Sequence, residues 1–220
     1  MRQTVRIDIR QAVEEQRKGG VDSEKQAAAD VIGAFLIPTF LSGIVSGLSV
    51  QSFTLWICVP GPAFGLALSL GSHLALHNMN AGRCVKLVAG STAAWTSAVA
   101  MGWVRTQYLG VFSPVNDVSE LLMYILCGAI GGAAVVASLW WSMPEALPGL
   151  PKSAQVAFVI GAGLAMTHYG CHRVWQQTSL STMLSYTKIS MVSYSIWQLG
   201  MALAVASLVN QARRSKVTTT

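Results

Sequence analysis

The amino-acid sequence predicts an all-α protein, a polytopic integral membrane bundle of six transmembrane helices. Three observations carry that expectation. Hydrophobic residues make up 52% of the chain and charged residues only 11%, whereas a soluble domain carries roughly 25% charged residues. The charges are segregated, 12 of the 24 Lys, Arg, Asp and Glu falling within residues 1–30. Behind them come long, nearly uncharged apolar runs of about the 20 residues that a helix needs to cross roughly 30 Å of hydrocarbon. The net charge of +6 then reports orientation in a bilayer, and nucleic acid is not an expected partner.

Residues 1–30 form a polar N-terminal segment. Val5, Ile7 and Ile9 alternate with charges, the period of an extended piece. Residues 11–18 read as a short helix stopped by Gly19-Gly20. Ser23 followed by Gln26 has the form of a capping box, which starts the first long helix near Glu24. Glu14, Glu15, Asp22 and Glu24 set the segment apart from a secretory signal and count against a mitochondrial presequence.

Six apolar segments follow, at residues 29–50, 53–77, 85–104, 118–141, 154–171 and 189–209. Pro38 is an expected kink in the first. Pro60-Gly61-Pro62 interrupts the second; either the helix breaks there, or it begins at Pro62 and residues 53–59 lie at the interface, the preferred alternative. The third, with its Ser and Thr content, is the weakest of the six. Asp117 with Glu120 forms a cap for the fourth. Pro144, Pro148, Gly149 and Pro151 make the next connection a rigid turn. Residues 31–209 are therefore one six-span domain, and residues 210–220 a basic polar tail.

Basic residues stay on the cytoplasmic side or its organellar equivalent. Six crossings with both termini inside place Arg2, Arg6, Arg10, Arg17, Lys18, Lys25, Arg83, Lys86, Lys152, Arg213, Arg214 and Lys216 on that side and only Arg105, Arg173 and Lys188 on the other. The expected location is a bacterial inner membrane or an organellar inner membrane. Trp103, Tyr108, Trp140, Trp141 and Trp175 fall near span ends, as interfacial aromatics should.

Small residues recur at helical spacing: Gly43 and Gly47, Gly128 and Gly132, and the ladder Gly90, Ala94, Ala98, Gly102. In lipid no hydrophobic drive brings helices together, so close approach through such faces supplies the contact. They serve packing within the bundle or packing against another subunit. On the first reading Gly90 and Ala98 face a neighbour and Ser91 points elsewhere.

The four histidines of the chain form two His-x3-His pairs, His73 with His77 and His168 with His172. Residues four apart on a helix lie about 40° from one another, the spacing by which one helix offers two imidazoles to a metal. These four are the candidate metal ligands. Each pair supplies two ligands where a metal takes three or four, and the threading puts the pairs near opposite membrane faces, about 20–30 Å apart. Neutral histidines hydrogen-bonded at helix ends are the plainer expectation, and no cofactor is expected. Cys58, Cys84, Cys127 and Cys171 have no zinc-like spacing.

The stretch Met166-Thr167-His168-Tyr169-Gly170-Cys171 resembles the Met-His-Tyr-Thr signature of a family of bacterial membrane sensor domains, which implies a metal at such motifs. The likeness covers six residues. Thr167 stands between the Met and the His, the second Thr is absent, and Cys171 replaces a Met.

Residues 65–77 and 160–172 echo one another 95 positions apart. That pairs the second span with the fifth and raises an inverted 3+3 repeat, the arrangement of many transporters. No Asp, Glu, Lys or Arg falls at a midplane, so ion or proton coupling has no carboxylate to use. The polar inventory of the interior is Ser, Thr, Tyr194 and Gln198. No nucleophile with a base is evident, and an enzyme is not expected. The leading expectation is a non-catalytic membrane subunit or scaffold, with the bilayer, other membrane subunits and possible further copies of the chain as partners. The alternatives are a channel or carrier for a small neutral solute, and a haem- or metal-binding sensor using the histidine pairs.

Overall fold

The computed structural model describes residues 2–77, 79–104, 117–177 and 186–217, with side chains from Gln26 onward except beside those gaps. Among them the regular elements are helices: α1 (Arg2–Ser49), α2 (Phe53–Cys58), α3 (Pro60–Leu76), α4 (Ala81–Val104), α5 (Asp117–Ser142), α6 (Leu150–Gln177) and α7 (Tyr186–Val217). A single 3-10 turn at Pro144–Ala146 joins α5 to α6. Four stretches are long and apolar enough to cross a membrane, Gln26–Ser49, Phe53–Leu76, Val118–Ser142 and Thr187–Arg214. These are compatible with a membrane location. Helices α4 and α6 do not reach that measure.

Two local expectations are corrected. The N-terminal segment is not an extended piece followed by a short helix, because α1 runs unbroken from Arg2 through Gly19-Gly20 and Pro38 to Ser49. A glycine inside a helix costs only about 1 kcal/mol, and the Gln-, Glu-, Lys- and Ala-rich flanks favour helix strongly enough to carry the chain across. The capping box at Ser23 therefore starts nothing. At the second span, α3 starts at Pro60 rather than Pro62. Val59 keeps helical angles (φ −94°, ψ −47°), donates to Leu55 O at 2.9 Å and accepts from Ala63 N at 3.0 Å. α2 thus leads directly into α3 across a one-residue break, with Pro60 in the first turn, where its missing N–H costs nothing.

The six long helices close into a ring in chain order. Each packs chiefly on its sequence neighbours, and α7 returns to α1. Cross-helix contacts fix the directions. Gly43 lies against Ser195 and Gly47 against Met191, so α1 and α7 are antiparallel. Gly61 faces Thr92 and Gly65 faces Val88 across α3 and α4. Ser142 donates to Arg83 O, and Cys127 to Ala98 O, across α4 and α5. Gly128 meets Ala165 and Gly132 meets Ala157 across α5 and α6, and Gly200 meets Leu164 and Tyr194 meets His168 across α6 and α7. Five antiparallel pairs around a closed ring force the sixth, so the helices alternate up and down throughout.

The small-residue faces are used inside this ring. A Cβ at Gly61 would stand 2.7 Å from Thr92 Cα, and one at Gly65 2.6 Å from Val88 Cα, so the backbones touch where only hydrogen occupies the gap. Gly90 packs on Ser138. Ser91, expected to point elsewhere, is buried and donates to Gly61 O at 2.8 Å.

Large apolar side chains fill one half of the ring: Phe35, Leu68, Leu87, Leu139, Met143, Met201, Val205 and their neighbours. Others, such as Ile37, Leu41 and Val45 on α1 and Leu66, Leu70 and Leu74 on α3, point outward and exposed. Among the described residues the buried polar side chains are serines, Thr39 and Gln198, in line with the polar inventory read from the sequence. Several serines bond the carbonyl one turn back on their own helix, as Ser69 does to Gly65 O at 2.8 Å, so their hydroxyls need no partner helix. The inverted 3+3 repeat is not seen in this arrangement. An in-plane two-fold reverses the sense of circulation, and helices that follow one another around a ring keep a single sense.

Candidate functional site

The other half of the ring is not packed shut. It encloses a cavity of about 860 Å³ lined from α2 through α7, a size that suits a small organic molecule. Its floor is Phe64 and Val135, which also belong to the apolar core. Ala94, Ala98, Gly131 and Ala165 on the wall are small, and a Cβ at Gly131 would meet only Trp197, at 3.6 Å. Phe53, Thr96 and Ala100 are the exposed members of the lining, so the mouth lies beside α2 and the second half of α4.

Aromatic side chains from five helices form a belt around this space. Trp56 of α2 meets Trp95 of α4 edge-on at 5.8 Å. Trp95 meets Tyr194 of α7 at 5.7 Å, Tyr194 meets His168 of α6 at 5.6 Å, and His168 meets Tyr124 of α5 at 5.5 Å. Such ring pairs prefer edge-to-face and tilted geometry because the quadrupole sets a negative face against a positive edge. Hydrogen bonds fix the belt: Trp56 Nε1 donates to Tyr194 Oη at 2.7 Å and Trp95 Nε1 to Trp56 O at 3.1 Å.

One turn below Tyr194 lies Gln198, only 2% exposed. Its Nε2 donates to Ser46 Oγ at 2.9 Å. Ser46 Oγ in turn donates to Ser42 O at 2.8 Å and accepts from the amide. Among the described residues Gln198 Oε1 has no hydrogen-bond partner, and the atom itself is wholly buried. Glu120 is the sole carboxylate on the described wall, and no Lys or Arg joins it.

The histidines do not converge. His73 and His77 are exposed at the C-terminus of α3, where His77 takes left-handed angles (φ 51°, ψ 21°) as the cap and donates its N–H to His73 O at 2.9 Å. His168 is at the cavity, and the side chain of His172 lies outside the described residues. Two contacts on α7 give the separation. Arg213 bonds Ala75 O beside the first pair and Tyr194 touches His168, 19 residues or about 28 Å apart along a helix. Among the described residues no group of three or more His, Cys, Asp or Glu could hold a metal. The sequence reading missed the belt: Trp56, Trp95 and Tyr124 carry no spacing signal, since they come from different helices. The predicted interfacial Trp140 and Trp141 are exposed near the end of α5, while Trp103, Tyr108 and Trp175 have side chains outside the described residues.

Comparison with protein-family models, curated proteins and solved structures finds no match to this chain.

Proposed function

We propose that this chain is a six-span integral membrane protein that binds a small, mainly apolar solute in its central cavity and acts as its carrier or receptor, without catalytic chemistry of its own. The observation that carries the reading is the half-filled ring: about 860 Å³ walled by aromatics, above a half packed with large apolar side chains. The packed half argues for a binding site rather than a continuous pore. Support for six crossings comes from register. Between Arg83–Ser142 and Ala98–Cys127, α4 runs beside α5 for 15 residues, about 22 Å. α6 likewise tracks α5 from Ala157 to His168. A more polar helix held between apolar neighbours need not be hydrophobic all round. Basic-residue counts favour both termini on the positive-inside face.

The test uses intrinsic fluorescence, because Trp56, Trp95 and Trp197 line the wall. Purified protein titrated with a panel of small lipophilic molecules should show saturable quenching. Gly131→Leu should abolish it, since a Cβ at Gly131 meets nothing nearer than Trp197 at 3.6 Å and the added side chain occupies the cavity without striking backbone. Solute flux into liposomes holding the protein alone separates carrier from receptor. Unsaturable quenching that Gly131→Leu leaves unchanged rejects the reading.

A membrane-subunit role is favoured by one separate observation. The outward face of α4 exposes Ala89, Ala93 and Ser97 where α1 and α3 expose Ile, Leu and Phe. A cysteine at Ala93 should cross-link to a second chain in the native membrane on this reading, and remain unlinked if that face meets lipid.

A further inference from the structure

We infer that the solute is an amphiphilic organic cation, an ammonium head on an apolar body, bound with its head at the Glu120 end of the cavity and its body against the aromatic wall. The inference deepens the binding reading above and rests on it. Glu120, Tyr124, Cys127, Gly131 and Val135 follow at three- and four-residue steps on α5, and all of them line the cavity. Val118, Leu122 and Leu126 are exposed on the opposite face of the helix. Glu120 is half-buried and belongs to the inward stripe. From Glu120 to Val135 that stripe covers 15 residues, about 22 Å, with a carboxylate at one end and the apolar core at the other.

Charge and depth set the class. Among the described residues Glu120 is the wall's sole carboxylate, and no Lys or Arg joins it. Arg173 of α6 stands over the Tyr169 ring at 6.0 Å, and neither of these two lines the cavity. The formal charge on the described wall is therefore negative, a repulsion for an anionic head and a counter-charge for a cationic one. Glu120 lies in the first turn of α5, at the end of the apolar stretch Val118–Ser142. A head held there stays near the membrane surface and away from the midplane, where a charge is most costly. The rest of the wall brings rings from five helices to the same space: Trp56, Phe64, Trp95, Tyr124, Tyr194 and Trp197. Aromatic faces attract an ammonium, Trp most of all, and the same rings give the body its apolar contact.

The experiment compares 4-butyl-N,N,N-trimethylanilinium with its carbon isostere, 1-butyl-4-tert-butylbenzene, which keeps the shape and loses the charge. Affinities are read from tryptophan quenching in zwitterionic phosphatidylcholine nanodiscs, with the signal remaining in Gly131→Leu subtracted as bilayer partition. The pH is about 8, where an ordinary imidazole is neutral and an ordinary carboxyl ionised. Both probes should bind wild type saturably. Glu120→Gln should weaken the ammonium on the order of ten-fold and leave the isostere unchanged; retained isostere binding shows that the variant is folded. Glu120→Asp, which keeps the charge, should retain most of the ammonium affinity. Saturable binding of the isostere without the ammonium in wild type overturns the charge inference and leaves the cavity reading standing, and so does an ammonium affinity that Glu120→Gln leaves unchanged. A parallel loss of both probes in Glu120→Gln makes Glu120 structural and also overturns it. Absence of saturable binding by either probe removes the binding reading and this inference together.

Discussion

Gly161 and Gly163 lie two residues apart on α6, and the same substitution should have opposite consequences at the two. A Cβ at Gly161 would run into the Gly128 carbonyl and stand 3.2 Å from Gly132 Cα, so its neighbours are the α5 backbone rather than movable side-chain ends. Gly163→Ala meets nothing within 4 Å. Overpacking a tight contact costs about 1–3 kcal/mol, whereas replacing an unhindered helical glycine by alanine gains up to about 1 kcal/mol in propensity. At roughly 2–4 °C per kcal/mol for a chain of this size, Gly161→Ala should lower the melting temperature in detergent by roughly 2–12 °C. Gly163→Ala should leave it unchanged or raise it slightly. The assay is thermal unfolding of the purified variants followed by tryptophan fluorescence and by retention of the monodisperse peak. Equal melting temperatures for the two variants would refute the backbone-to-backbone contact between α5 and α6, and with it the closure of the ring on that side.

Single cysteines at Ser113 and Thr218 in a cysteine-free background should label from opposite faces of the membrane; same-side labelling would sink the six-span threading. Ser91→Leu should destabilise by about 1–3 kcal/mol through overpacking at Gly61, and Ser91→Ala by about 1 kcal/mol through its lost hydrogen bond; a Ser91→Leu variant that melts with wild type would contradict the buried contact. His73→Gln should leave the melting temperature unchanged, because the side chain is exposed. His168→Gln should lower stability by about 1–3 kcal/mol, since each of its ring contacts with Tyr124 and Tyr194 contributes about 0.5–1.5 kcal/mol, and elemental analysis of wild type should find no stoichiometric metal.

The helices were legible because each one is written locally, as an uncharged apolar run bounded by Pro, Gly or charge. The small-residue ladders were legible for the same reason, and Gly43, Gly47, Gly128 and Gly132 all sit at close helix contacts. Ser91 was misread because one packing face was assumed for α4. In a ring each helix has two neighbours, and the two contact faces are separated by an angle close to the 100° between successive residues. Gly90 can therefore face α5 while Ser91 faces α3. The N-terminus was misread by giving a Gly-Gly pair a veto that flanking helix formers override. The belt was not legible at all. Its members stand 39 residues apart (Trp56 and Trp95) or 99 apart (Trp95 and Tyr194), and only ring closure brings them together.

Ring closure also explains why the cavity occupies one half. Around the ring the residues turned inward change character at a common depth. Towards the end that carries the termini they are Leu68, Leu139, Met201 and Val205, large enough to meet across the centre. Towards the other end they are Gly131 and the rings of Trp56, Trp95, Tyr124 and Tyr194. Rings standing edge-on to one another prop the helices apart, and Gly131 beside them adds no bulk to fill what is left. Some buried serines satisfy themselves on their own helices, as Ser193 does on Ile189 O, whereas the hydroxyls of Ser42, Ser72 and Ser153 have no partner among the described residues. Gln198 lines the cavity one turn from Met201 of the packed half, and its Nε2 is tied to Ser46 of α1, so a hydrogen bond between the two helices pins the boundary between the filled and the open half.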